Sequence, residues 1–371
     1  MKIAHIITGL GNGGAESNLY KICMNDQSNK HHVISLMDMG KYGKLLKKKG
    51  IEVSCLKMEK SYFSIFKFLK LVKILKKINP NTIQTWMYHS DLLGSLAAIL
   101  AGNRKIIWNI RTSNILNNNF KRSFVIWMLS KLSWFIPRKI ISCSKKSINI
   151  HCKIGYCPNK FVYIPNGYDF DYLKPLKNIN KIKKKFHIKK FTPLIGMVAR
   201  YHPQKDHKTL IESLCYLKNK KINFSCVLIG PGVNNQNKNL INNIKKYKME
   251  KFIKLLGESN YITKVMSELD IHVLSSSYGE GFSNVVVEAM ACETPSVVTD
   301  VGDSKFIVNK FGWVAKPHDH IDLSKHINQA LEEFKKKNWK EKCKNCRLHV
   351  MKKFSIRKMI FMYNRIWKKI L

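Results

Sequence analysis

The chain has 371 residues, 45% of them hydrophobic and 24% charged, which excludes a disordered protein and allows two domains of ordinary size, each with its own core. A formal charge of +42 invites nucleic acid or an anionic membrane as a partner. Lysine is spread along the whole chain, however, and heavy use of Lys, Ile and Asn reads equally well as the codon bias of an AT-rich genome.

In chain order, the first apolar run, "KIAHIIT", turns glycine-rich at "GLGNGG", the pattern of a strand feeding a helix rather than of a cleavable signal peptide. Gly9, Gly11 and Gly14 satisfy G-x-G-x-x-G, and Asp38 ends the second strand, near where a dinucleotide site keeps its ribose-binding acid. Alone, these residues predict an NAD(P)-dependent oxidoreductase. Glu16 opposes that reading, because in the first helical turn it would repel a pyrophosphate. The cofactor reading also leaves the second half of the chain unexplained.

Further strands are predicted at "HHVISLM", "IEVSCLK", "TIQTWM", "KIIWNI" and "KIISCS", with helical patterns such as "YFSIFKFLKLVKILKKI" and "DLLGSLAAILA" between them. In the first of these helices Lys67, Lys70, Lys73 and Lys76 recur at i,i+3 spacing opposite aromatics and leucines. "FKRSFVIWMLSKLSWFIPRK" adds Trp127, Trp134 and flanking cations. Both segments suit a face lying on anionic lipid, and both also read as ordinary helices packing on a sheet. No apolar run reaches the ~18 residues of a membrane span.

"IPNGYDFDYLKP" carries a turn at Pro165, Asn166 and Gly167, with Pro175 beyond it, and reads as a hinge. Asp169 and Asp171 form a DxD, which elsewhere chelates a metal bound to a sugar nucleotide; in a hinge, turn chemistry accounts for it better. A second series of strands follows at "TPLIGMVA", "FSCVLIG", "FIKLLG", "IHVLSS" and "PSVVTD", and beyond residue 320 the chain reads as helical to its end. Strand-helix alternation in both halves predicts an α/β protein of two doubly wound, Rossmann-like domains facing a cleft. The expected boundaries are 1–175, 176–354 and a terminal helix at 355–371. Ten unevenly spaced cysteines predict free thiols in a reducing cytoplasm. Cys343 and Cys346 form a CxxC in a polar helical stretch with no second pair, so no zinc site is expected there.

The chemistry concentrates in the second half. Arg200 and Lys205 follow the strand "TPLIGMVA", at the sheet edge where ligands of such folds bind; together they can grip a diphosphate. Two solvated cations in a lysine-rich chain would look the same in isolation. Gly230 ends the next strand in a turn that lets backbone approach a base or phosphate. In "YGEGFSNVVVEAM" Glu280 lies in a loop and Glu288 in the helix behind it, with Ser283 or Asn284 able to cap that helix. Each carboxylate can accept hydrogen bonds from neighbouring hydroxyls, as a ribose or a hexose offers them.

Taken in order, "GGAE", "IPNGYD", "GMVARYHPQKDHKTLIESL" and the E-x7-E of Glu280 to Glu288 within "GEGFSNVVVEAMACETPSVVTDVGD" make the chain similar, over essentially its whole length, to the retaining GT-B glycosyltransferases of glycosyltransferase family 4. The resemblance implies that Glu280 holds hydroxyls of a donor sugar and Glu288 the nucleotide ribose. Arg200 and Lys205 would stabilise the departing diphosphate of a UDP- or GDP-linked sugar, and the amides of Gly281 and Phe282 would lie beside it. Gly13 and Gly14 would let the N-terminal domain approach the donor, with Glu16, Arg111 and Thr112 on the acceptor side. The terminal helix would return to the N-terminal domain. No metal and no cofactor are implied. Relatives often carry histidine where Thr112 stands, so His89 is a candidate for the sugar-facing role as well as for a packing one; Asp303 stands where many place glutamate. The implied acceptor is a glycan or lipid-linked glycan of bacterial surface polysaccharide or lipopolysaccharide synthesis. The implied place is the cytoplasm, peripheral on the inner face of the plasma membrane. A basic nucleic-acid-binding protein on the same scaffold gives no reason for Glu280 and Glu288, which would repel phosphate, and no nucleic acid is expected.

Overall fold

A computed structural model describes residues 1–59, 64–113, 120–177 and 179–371, with no side-chain detail at residues 120–122. Ser61, Tyr62 and Phe63 of the first amphipathic segment, and the side chains of Phe120, Lys121 and Arg122 in the second, therefore lie outside the described residues. The chain folds as two compact units, one of Met1–Gly167 with Ile356–Leu371, the other of Tyr168–Ser355.

In the first unit β1 (Lys2–Ile7), β2 (Lys30–Ser35), β3 (Glu52–Cys55), β4 (Thr82–Trp86), β5 (Ile106–Ile110), β6 (Lys139–Ser142) and β7 (Phe161–Tyr163) form one sheet in the order β3-β2-β1-β4-β5-β6-β7. Every pairing is parallel, beginning with Lys2 opposite Lys30 and Ile3 opposite Thr82. β4 and β5 are buried at every residue, and their polar side chains are held by hydrogen bonds: Gln84 Oε1 accepts from Trp367 Nε1, Thr85 Oγ1 donates to Asp91 Oδ1 and Asn109 Nδ2 donates to the Tyr363 hydroxyl. The second unit repeats the plan with β8 (Leu194–Val198), β9 (Ser225–Ile229), β10 (Ile253–Gly257), β11 (Ile271–Leu274), β12 (Ser296–Thr299) and β13 (Trp313–Ala315), ordered β10-β9-β8-β11-β12-β13. The expected two doubly wound sheets are present.

Two strands escaped the sequence reading. β7 and β13 are three residues each and lie at sheet edges. Three residues cannot display a period of two, so pairing with β6 and β12 defines them.

The C-terminal helix Ile356–Lys369 belongs to the first unit, as expected, and packs on the helix Gly14–Asn25. Its Tyr363 and Trp367 are fully buried. Trp367 Nε1 donates to Gln84 Oε1 at 2.8 Å, and Asn109 Nδ2 donates to the Tyr363 hydroxyl at 3.0 Å. Each amphipathic segment packs on its neighbours and also exposes apolar side chains. The helix Ile65–Ile78 buries Phe68, Leu71, Val72 and Leu75 against the sheet, yet leaves Phe66 82% exposed. The helix Phe120–Leu132 buries Ile126 and Leu129 and leaves Phe124 and Trp127 exposed; Trp134 and Phe135 follow it, exposed as well. The helix Tyr88–Leu100 packs against both. Among the described residues no helix is long and apolar enough to cross a membrane.

Candidate active site

Doubly wound sheets open a crevice at the carboxyl ends of the strands where the strand order reverses. In the second unit that point lies between β8 and β11. Past β8, His202 accepts from Gln204 N at 3.2 Å, and Pro203–Lys205 forms one tight turn. Asp206 adopts the left-handed conformation (φ 49°) and caps the helix His207–Asn219, accepting from Thr209 N at 3.1 Å. This pair of local stops points Lys205 at the reversal. The loop after β9 closes on it through Gly230 (φ 144°), where a Cβ would stand 2.3 Å from Ala199 O.

Past β11 the chain reaches Glu280, only 7% exposed. Its Oε1 accepts from Ser276 Oγ at 2.7 Å and also takes an ion pair from Lys205 Nζ. The geometry thus joins Lys205 to Glu280, 75 residues apart in sequence. Arg200 stands exposed at the same strand end. His207 and His272 beside them are buried, and burial pushes their pKa values down to about 4 and about 3; they add no positive charge at neutral pH.

Gly281 sits under the loop after β12. Gly302 (φ 61°) lies so close that a Cβ there would meet Glu280 O at 2.5 Å and Gly281 O at 2.6 Å, and Asp303 N donates to Gly281 O at 2.9 Å. Gly302→Ala should therefore lower stability by about 1–3 kcal/mol for the left-handed backbone alone and displace Glu280. Thermal unfolding together with donor turnover would check it, and wild-type values for both would refute the packing argument. Phe282 is buried and turns its ring edge-on to Phe354 with centroids 5.2 Å apart. Ser283 occupies the N-cap position of the helix Asn284–Ala291, but its side chain does not cap that helix. The Ser283 hydroxyl pairs with Ser304 Oγ at 2.8 Å, and Asn284 Oδ1 accepts from Tyr168 OH. Glu288, half-buried, is in the second turn of that helix.

The first unit has its own reversal, between β1 and β4. A pocket of about 340 Å³ lies there, lined by Thr8, Gly9, Glu16, Met87 and His89 among others. Met87 takes φ 71°, uncommon for a residue with a side chain, and this turn projects exposed His89 from the end of β4. Thr8 Oγ1 and Ser90 Oγ, 3.1 Å apart, tie the loop after β1 to the first turn of the helix Tyr88–Leu100. Glu16 folds over Gly13, where a Cβ would meet Oε2 at 2.3 Å. A carboxylate thus covers the helix end that a dinucleotide phosphate would need, and β2 stops at Ser35, short of Asp38. Gly14 opens the helix. Arg111 donates to Asn166 Oδ1 at 2.7 Å and to the Tyr363 hydroxyl at 3.0 Å, and its guanidinium lies 5.2 Å from the Trp86 ring centroid. Thr112 O accepts from Ser147 Oγ at 2.8 Å.

Asp169 Oδ1 accepts from Asp171 N at 2.9 Å, so the DxD forms an Asx turn. Cys343 and Cys346 stay thiols; burial pushes Cys343 up to about 12 and Cys346 well above its usual range. His5, Cys23 and His31 come together in the first unit, but hydrogen bonds already occupy the two histidines. Indole Nε1 can only donate, so Trp86 gives its proton to His5 Nδ1 at 3.3 Å, and His5 Nε2 donates onward to His31 Nδ1 at 3.0 Å. Sequence reasoning missed Ser276, Thr8 and Ser90, whose type and spacing carry no signal; only the register of neighbouring strand ends singles them out.

The family model described as Glycosyltransferase Family 4 matches residues 12–172, and that described as Glycosyl transferases group 1 matches residues 178–346. The chain is 29% identical to the N,N'-diacetylbacillosaminyl-diphospho-undecaprenol alpha-1,3-N-acetylgalactosaminyltransferase of Campylobacter jejuni, over 82% of this chain and 83% of that one. It is 27% identical to the UDP-Gal:alpha-D-GlcNAc-diphosphoundecaprenol alpha-1,3-galactosyltransferase of Escherichia coli, over 83% and 79%. Anabaena HepE, solved in complex with UDP, superposes with a TM-score of 0.87 at 21% identity over the whole of both chains. With one family matching each sheet in turn, and each sheet built to the same doubly wound plan, the chain belongs to the GT-B glycosyltransferases of family 4 and group 1.

Proposed function

We propose that this protein transfers a hexose or N-acetylhexosamine, with retention, from a UDP- or GDP-linked sugar to a lipid-linked glycan of bacterial surface polysaccharide synthesis. The observation that carries this is the Lys205–Glu280 pair at the reversal between β8 and β11, with Arg200 at the same strand end. Arg200 and Lys205 take the diphosphate, Glu280 the sugar hydroxyls and Glu288 the ribose. The amides of Gly281 and Phe282, and the turns at Gly230 and Ser283, line the donor. The bond from the anomeric carbon to the diphosphate breaks while the acceptor oxygen bonds to the same face. The leaving phosphate receives the acceptor's proton, so the protein supplies charge stabilisation and no nucleophile.

Glu16, with Arg111 and Thr112 on the same sheet edge, serves the acceptor, and His89, lining the pocket with Glu16, takes the sugar-facing role. The Campylobacter and Escherichia relatives carry diphosphoundecaprenol acceptors in their names, which supports an acceptor of that class here. Phe66, Leu69, Leu100, Phe124 and Trp127, exposed on three neighbouring helices of the first unit among lysines, suit docking on the anionic inner face of the plasma membrane.

Thermal shift against UDP, GDP, their sugar derivatives and NAD(P) tests the reading. Stabilisation by one nucleoside diphosphate, lost in Glu288→Ala, is the expected result; stabilisation by NAD(P) alone would overturn it. Flotation with phosphatidylglycerol-containing vesicles should recover the protein, and with pure phosphatidylcholine should not. Equal recovery from both, or from neither, would remove the membrane from the proposal.

A further inference from the structure

β11 runs on into three serines, Ser275, Ser276 and Ser277, all buried. Their hydroxyls alternate, as side chains do along extended backbone. Ser275 Oγ donates to the carbonyls of Lys205 and Asp206, each at 3.0 Å. Ser277 N donates to Gln204 O at 2.9 Å, and its hydroxyl lies 3.3 Å from Pro203 O. Both outer serines therefore clamp the turn that presents Lys205. Ser276 points the other way, to Glu280 Oε1 at 2.7 Å, while Thr299 Oγ1 donates to its carbonyl at 2.5 Å.

We propose that Ser276 is a positioning residue for Glu280 in sugar transfer, and that Ser275 and Ser277 hold Lys205 in register with it. The inference rests on the donor assignment above. Glu280 Oε1 accepts from both Lys205 Nζ and Ser276 Oγ. A bound diphosphate competes for the lysine, because two phosphate charges attract an ammonium more strongly than one carboxylate does. Ser276 has no such competitor. Ser276 is only 1% exposed, and its hydroxyl carries no charge for the diphosphate to draw away. As Lys205 turns to phosphate, Ser276 keeps the carboxylate oriented toward the sugar. The serine then acts in the transfer step and not in nucleotide binding.

The test combines donor turnover with UDP binding for wild type, Ser276→Ala, Ser276→Thr and Ser275→Ala. UDP-galactose, UDP-N-acetylgalactosamine, UDP-glucose and GDP-mannose serve as donors, and hydrolysis to water is the acceptor-independent readout. A hydrogen bond to a charged group sets the scale, so Ser276→Ala should lower kcat about 10-fold or more. UDP affinity should hold within about 2-fold, since the serine touches neither base nor phosphate in this assignment. Ser276→Thr, which retains the hydroxyl, should recover most of the rate. Ser275→Ala should instead weaken UDP binding, because it loosens the turn of Lys205. Wild-type turnover in Ser276→Ala overturns the inference while leaving the donor site standing. So does a parallel loss of rate, UDP affinity and melting temperature that threonine fails to restore, which marks a structural role. A wild-type protein that neither binds UDP or GDP nor consumes any of the four donors overturns the inference and the proposed function together.

Discussion

Lys205→Ala should lower the rate of sugar transfer by about 10²–10³-fold, the range seen when one preorganised donor to a developing negative charge is removed. The leaving diphosphate gains charge as the glycosidic bond breaks, and an ammonium held at that point favours the transition state over the ground state. Lys205 is well placed for this because its turn is stopped on one side by His202 and on the other by Asp206. Ground-state affinity should fall less than the rate. Lys205→Arg should not restore activity, because a planar fork cannot replace a compact charge beside Glu280. Initial rates at saturating donor, set against UDP affinity, provide the check. A rate within about 3-fold of wild type would place the catalytic charge elsewhere, since such a change is under 1 kcal/mol of barrier.

Asp26→Ala should lower the stability of the first unit by about 1–3 kcal/mol, the cost of leaving buried hydrogen-bond donors without their acceptor. Burial alone would raise the Asp26 pKa, but hydrogen bonds from His31, Asn29, Asn364 and Ser28 N outweigh it and hold the carboxyl down at about 2. His31 Nε2 lies 3.1 Å from Asp26 Oδ2, at the end of the line that starts at Trp86 and passes through His5. Asn364 Nδ2, from the C-terminal helix, reaches Asp26 Oδ1 at 3.2 Å. One carboxylate thus links the start of the sheet to the last helix of the chain. Because its folded pKa lies below the usual carboxylate range, the stability it contributes is complete above about pH 4 and is lost as pH falls toward 2. Urea unfolding followed by tryptophan fluorescence reads the change, since Trp86 and Trp367 flank His5. A loss under about 1 kcal/mol would mean that the network is dispensable.

Strand-helix alternation, the repeated doubly wound plan and the returning helix were legible because burial on both faces demands long apolar runs, and those runs announce themselves in any window of sequence. The strands at "FVY" and "WVA" were not, being shorter than one readable period. At the site, Glu280 and Lys205 were legible as residue types at the ends of predicted strands. Their contact was not, because strand order is a property of pairing across the sheet: β8 meets β11 only after two intervening strands are set aside. The cap at Ser283 was misread for the same reason. Locally a serine before a helix satisfies the helix, but here Ser304, brought alongside by the loop after β12, takes its hydroxyl.

The amino-acid sequence by itself determined the two α/β sheets, the family, the turn at Asp169 and the edge on which the charged residues sit. Each of these follows from near neighbours along the chain, where periodicity and turn chemistry act. Only the tertiary structure decided that Lys205 and Ser276 share one oxygen of Glu280, that Gly302 supports Gly281 and that Asp26 anchors the last helix. Those outcomes depend on which strand ends lie side by side, and hydrogen bonds of about 3 Å between residues far apart in sequence leave no mark on the order in which the residues are written.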